Sequence, residues 1–147
     1  MNIYEILTVT ASGIAIIVSL IAIIVSFIAT KNANDLTKGQ VELQIRAMVS
    51  DAKRHYAEML ANKPKTNITE QDEAIVRAAL EDVCNTYEEA CAKYVDGKVD
   101  KTRFKKMYST EIRQWVESGK FKNKYIEPHT QFHATIKVYK EWNNLEK

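Results

Sequence analysis

The sequence predicts an all-α protein: an N-terminal transmembrane helix continuous with a long helix, then an antiparallel bundle of about four helices. Three observations carry this expectation. Residues 6–30 contain no charged side chain. Beyond them, apolar residues recur at spacings of three and four between recognisable helix caps. No run shows the period-2 alternation of a half-buried strand. Four Gly and two Pro in 147 residues are too few for a collagen-like, linker-rich or turn-rich all-β chain. The expected organisation is a short extracytoplasmic N-terminus (1–5), a transmembrane helix (6–30), a juxtamembrane long helix (31–62) and a helical bundle domain (63–147) that packs with 41–62.

A helix rising about 1.5 Å per residue crosses a hydrocarbon core roughly 30 Å thick in about 20 residues, so Ile6 to Thr30 is long enough with some tilt. It is apolar on every face, and the remaining chain is too small to surround it as a core helix. A secretory signal would need a basic start and a small-residue cleavage site. The residues before the segment are Met-Asn-Ile-Tyr-Glu, with one acid and no base. The segment therefore reads as an uncleaved anchor in the lipid bilayer. Lys31, Lys38 and Arg46 follow it and no base precedes it, which predicts an outside N-terminus and a cytoplasmic C-terminal domain. Cys84 and Cys91 stand seven apart on one predicted helix, about 10 Å along its axis, beyond the reach of an intrahelical disulfide. Reduced, buried thiols fit that compartment.

The span contains an internal repeat, Ile14-Ala15-Ile16-Ile17-Val18-Ser19-Leu20 followed by Ile21-Ala22-Ile23-Ile24-Val25-Ser26-Phe27. Its small residues Ser12, Ala15, Ser19, Ala22, Ser26 and Ala29 alternate spacings of three and four, a heptad seam. Helices associate in lipid by close backbone approach at small residues and by hydroxyl hydrogen bonds, so this seam predicts a parallel homo-oligomer. The competing reading is an apolar span whose serines bond back to the preceding turn. The same register continues through Ala33, Leu36, Gln40, Leu43, Ala47 and Ser50, with Gln40 as a polar layer of the kind that sets register.

A second stripe, Val41, Ile45, Met48, Ala52, Tyr56 and Met59, should face the bundle until Lys63-Pro64 ends the helix. Gly39 is tolerable within it, at about 1 kcal/mol. Thr69 caps the next helix, with Glu70, Asp72 and Glu73 in its first turn; Val76, Leu80, Val83, Tyr87, Ala90, Cys91 and Tyr94 form its buried face, and Asp96-Gly97 ends it. Asp100 caps a third helix carrying Phe104, Met107, Tyr108, Ile112, Trp115 and Val116 as far as Ser118-Gly119. Pro128 suits the first turn of a last helix with Phe132, Ile136, Tyr139 and Trp142.

Charge is shared unevenly. Residues 31–62 hold five bases and four acids, 63–100 five and nine, and 101–147 eleven and five. The simplest reading is internal complementarity between an acidic second helix and basic third and fourth helices. The sharper one sets Lys101, Arg103, Lys105, Lys106, Lys120, Lys122 and Lys124 against an anionic surface, where each base adds about 1 kcal/mol near a membrane. A pI near 8.4 is low for a dedicated nucleic-acid binder, and none is expected as a partner.

Chemistry-bearing motifs are sparse. His129 and His133 share a helix face, with Glu127 nearby, but lack the Glu of a zinc-protease motif and a third ligand; no metal or cofactor is expected. There is no phosphate-cradling Gly loop and no nucleophile elbow. The acidic pairs Glu81-Asp82 and Glu88-Glu89 fall on the expected solvent side, and adjacent helical residues cannot form a shared-proton dyad. Tyr87, Tyr94, Tyr108, Trp115 and Trp142 read as core aromatics. The expectation is a non-enzyme.

The run Leu80-Glu81-Asp82-Val83-Cys84, with Tyr87-Glu88-Glu89, Tyr94-Val95-Asp96-Gly97-Lys98-Val99-Asp100, Phe104 and Ile112-Arg113-Gln114-Trp115, resembles a family of small single-span bacterial and prophage-type membrane proteins with a helical cytoplasmic domain of unknown function. The motifs cover about a quarter of the chain. The resemblance implies the same architecture and a bacterial or phage origin, and it carries no catalytic residue. It leaves three functional expectations. The first is a self-associating anchored interaction protein with an unidentified protein partner, in a role such as phage defence or superinfection exclusion. The second is a membrane-active effector whose oligomerised spans form a pore or disrupt the bilayer. The third is a phage lysis component with an exported coiled coil.

Overall fold

The computed structural model describes residues 2–64, 66–118 and 130–143, the side chains of 5–11 excepted. It has four helices in chain order: α1 (Ile3–Asn62), α2 (Glu70–Val95), α3 (Lys101–Glu117) and α4 (His133–Trp142), with no strand among the described residues. The chain divides into two compact units, Met1–Thr37 and Lys38–Lys147.

In the first unit, every side chain of α1 from residue 14 to residue 37 is exposed, with none of them buried against another described residue. Ile16, Ile17, Leu20, Ile23, Ile24 and Phe27 each leave more than half their surface uncovered. Among the described residues α1 is the one helix long and apolar enough to cross a membrane; its most apolar window has a mean hydropathy of 2.7 and none of it is buried.

In the second unit, the remainder of α1 packs through Ile45, Val49 and Ala52, with Val41 and Tyr56 partly buried against the same core. Full burial of an aliphatic side chain contributes about 1.5–3 kcal/mol, which fixes this face inward. Of the expected stripe, Val41, Ile45, Ala52 and Tyr56 meet this core, which also takes Val49, whereas Met48 and Met59 are only partly buried and stand outside it. Thr69 caps α2 in a reciprocal box: its hydroxyl oxygen accepts from the Asp72 N–H at 3.2 Å while the Asp72 carboxylate accepts from the Thr69 N–H at 2.9 Å. α2 ends at Asp96, and Gly97 takes the left-handed conformation at φ 68° that turns the chain back. The Asp100 carboxylate then accepts the Arg103 N–H at 2.8 Å and opens α3.

Two parts of the expected core are corrected. Met107 is 41% exposed, because the buried ladder of α3 runs Phe104, Tyr108, Ile112 and leaves Met107 one position off it. Phe132 precedes α4 as its N-cap and does not lie within it, while Thr135 and Val138 inside the helix are fully buried. Pro128, Gly119 and the basic link between α3 and α4 lie outside the described residues.

Side-chain contacts give the directions. Tyr94 meets Phe104 and Tyr87 meets Trp115, so α2 and α3 run oppositely. Phe104 meets Trp142 and Glu117 meets Tyr139, so α3 and α4 do too. Glu42 bonds Arg103 and Lys53 bonds Glu111, which sets this part of α1 parallel to α3 and antiparallel to α2. The result is an up-down bundle, its centre a chain of rings from Trp115 through Tyr87, Tyr108, Phe104 and Tyr94 to Trp142, neighbouring centroids 4.8–6.5 Å apart.

Candidate interaction surfaces

The seam residues Ser12, Ala15, Ser19, Ala22, Ser26 and Ala29 are all exposed in the first unit. The Ser19 hydroxyl donates to the Ala15 carbonyl at 2.8 Å and the Thr30 hydroxyl to the Ser26 carbonyl at 2.8 Å, so these polar groups are satisfied inside their own helix. Within the second unit, the residues that continue the seam, Gln40, Leu43, Ala47 and Ser50, are exposed as well, Leu43 at 65%. At 100° per residue they occupy the side of the helix opposite Ile45, Val49 and Ala52. The helix that holds the bundle on one face thus presents a separate face outward.

The expected basic patch is not one population. Arg103 is engaged with α1: its Nε and Nη2 donate to the two oxygens of Glu42, each at 3.1 Å, and Glu42 also accepts the Asp100 N–H at 2.8 Å. Lys101 sits over the Tyr94 ring at 5.0 Å. Lys105 and Lys106 are exposed to solvent on α3. Lys120, Lys122 and Lys124 lie outside the described residues.

A groove between α1 and α3 is lined by Arg46, Val49, Ser50, Lys53, Met107, Tyr108 and Glu111. At its end the Tyr87 hydroxyl donates to Glu111, and Lys53 donates to the same carboxylate at 2.9 Å. Burial and the neighbouring Glu111 charge push the Tyr87 hydroxyl far above its usual range. Burial works against the Glu111 carboxylate, but its bonds from Tyr87 and Lys53 outweigh that and hold it below the ordinary value. With its acid ionised and its phenol protonated, this trio holds three helices together and offers no poised base.

Of the acids expected on the solvent side, Glu81 is partly buried and Glu88 is engaged by another helix. Glu88 on α2 accepts the Ala134 N–H at 2.7 Å and the Thr135 N–H and hydroxyl, each at 2.8 Å. Phe132 at the N-cap offers no side-chain oxygen, so a carboxylate from another helix caps α4 and meets the positive end of its dipole. The adjacent Glu89 is exposed. Neither Glu88 nor the Glu42 and Glu111 bridges have a signal in the sequence, where the last helix is expected to start at Pro128.

Both cysteines are free and buried, and burial pushes the Cys91 thiol up to about 12, so it is a packing residue rather than a nucleophile. His133 is exposed at the start of α4, and His129 lies outside the described residues. Among the described residues no group of His, Cys, Asp or Glu is assembled to hold a metal ion. No known protein family, curated protein or solved structure matches the chain.

Proposed function

We propose that this chain is a single-pass protein of the bacterial inner membrane, its N-terminus outside and its helical bundle in the cytoplasm, which self-associates through α1, presents the bundle to a protein partner and catalyses no reaction. The observation that carries the reading is the bare helix of the first unit. A run of exposed Ile, Val, Leu and Phe on every face has no stable place in water, and a bilayer is the solvent that suits it. Lys31 and Lys38, directly after the apolar run, support the cytoplasmic side for the bundle. The Ser19 hydroxyl bonded to its own helix supports an anchor over a polar pore lining. In a bacterial host carrying prophage, defence against phage or exclusion of a second phage is the role that suits a small anchored interaction module.

Reporter fusions at Lys147 test the topology: fluorescence of a fused cytoplasmic reporter is the expected result, and alkaline phosphatase activity overturns it. Cross-linking in intact membranes tests self-association. Ser19→Leu plus Ala22→Leu should abolish a dimer band that the unaltered chain gives, and monomer for both discards the oligomer. Loss of membrane potential on overexpression would favour the effector reading instead.

A further inference from the structure

We propose that the outward face of α1 between Gln40 and Ser50 docks a second copy of this chain, parallel and in register, with Arg46 of each copy paired to Asp51 of the other. This rests on the self-association proposed above and specifies where and how it continues outside the membrane. The exposed residues Gln40, Leu43, Ala47 and Ser50 alternate spacings of three and four, and Leu36 precedes them in the same register, itself 66% exposed. In heptad terms Leu36, Leu43 and Ser50 are d positions and Gln40 and Ala47 are a positions. Leucine at d suits a two-stranded parallel pair, and a polar side chain at one a position fixes register because only in register does it meet its own copy.

Charge complementarity chooses the occupant. The flanking g positions are Arg46 and Lys53, the e positions Gln44, Asp51 and Glu58. In a parallel pair, g of one helix faces e of the next heptad on its partner, which opposes Arg46 to Asp51 and Lys53 to Glu58. In an antiparallel pair g faces g and e faces e, which opposes bases to bases and acids to acids. Only the parallel arrangement is complementary. Arg46 is exposed, with Nη2 3.7 Å from the Met107 sulfur, and among the described residues no carboxylate forms an ion pair with it. Asp51 is held by Arg54 at 3.2 Å in an exposed pair weak enough to exchange. Lys53 is already engaged by Glu111 and Glu58 by Arg54, so Arg46 and Asp51 carry the specificity. The seam stops at Ser50, because the next a position is Arg54.

Disulfide trapping of the full chain in membranes tests this. Leu43→Cys should give a homodimer on oxidation, whereas the unaltered chain, whose two cysteines are buried, and Thr102→Cys, exposed on α3, should not. Asp51→Arg in the Leu43→Cys background should weaken association roughly tenfold, as should Arg46→Asp, because each turns two symmetric attractions into repulsions; combining the two substitutions should restore the dimer. If Ala22→Cys is trapped and Leu43→Cys is not, the docking face is wrong while the self-associating span stands. If neither is trapped, both fall. If trapping at Leu43→Cys ignores the single charge reversals, or the double reversal fails to restore what they remove, the Arg46–Asp51 pairing is wrong.

Discussion

The contact with the largest expected effect is the Glu88 cap on α4. Glu88→Ala removes the acceptor of two backbone N–H groups and one hydroxyl, at 2.7 and 2.8 Å. Loss of a helix cap costs about 0.5–2 kcal/mol, and a hydrogen bond to a charged acceptor is worth about 1.5–3 kcal/mol. These describe the same bonds and do not add. Thr135 is 1% exposed, so water cannot replace the lost carboxylate there, which sets the expectation at the upper end, about 2 kcal/mol. For a bundle of this size that lowers the melting temperature by roughly 10 °C. The assay is thermal unfolding of the full chain in detergent micelles followed by near-ultraviolet dichroism, which reports the packing of Trp115 and Trp142 rather than the helicity of the anchor. Glu88→Gln keeps one carbonyl acceptor and should fall between. Glu89→Ala, next in sequence but exposed and 3.9 Å from Lys93, should change stability by less than about 0.5 kcal/mol. Equal shifts for Glu88→Ala and Glu89→Ala would refute the reasoning.

The same substitution should have opposite signs at two glycines. Gly39→Ala, inside α1 with open space around a new Cβ, should stabilise by about 0.5–1 kcal/mol, whereas Gly97→Ala, at φ 68°, should destabilise by about 1 kcal/mol; urea titration reads both. Removing the Glu42 carboxylate with Glu42→Ala should cost about 1–2 kcal/mol, because the Asp100 N–H and Arg103 lose their acceptor, while Lys105→Ala should change the unfolding free energy read by urea titration by less than about 0.5 kcal/mol. Stability should be flat near neutrality and fall at both extremes of pH. Glu111, Glu117, Asp72 and Asp100 are held below their ordinary values, so their contribution is complete above the unfolded range of about 3.9–4.3 and is lost as pH falls through their folded values. Cys91 and Tyr87 are raised, so their contribution is complete below about 8.5 and 10 and is lost as pH climbs above those. Melting temperature against pH checks the shape, and Glu111→Gln should flatten the acid limb.

What the sequence made legible was local. Thr69 and Asp100 could be recognised as caps because capping is settled within four residues, and Gly97 because one backbone conformation calls for it. The buried ladders of α2 and α3 came from helical period. What stayed hidden depended on partners far along the chain: Glu88 lies 46 residues before the N–H groups it caps, and Glu42 sits 61 before the guanidinium it holds. A carboxylate that terminates a distant helix has the same sequence signature as one dissolved in water. Met107 was misplaced for the converse reason, since a helical period admits neighbouring offsets and only the packing of α3 against α2 and α4 chose among them.

The most instructive case is α1, which carries two apolar stripes on opposite sides. Ile45, Val49 and Ala52 with their partly buried neighbours keep the spacing of a helix against a bundle, and Leu36, Leu43 and Ala47 keep a strict heptad. In the sequence both keep spacings of three and four, although Gln40 and Ser50 make the second more polar. Burial separates them: the first is used within one copy and the second is left at 65% exposure in Leu43. A helix needing only to connect a span to a bundle would carry polar residues there, as it does further on at Arg54 and Glu58. Leucines on that side, in the register of the seam and flanked by charges that complement only a parallel copy, are what the proposed assembly would use, and no contact among the described residues buries them.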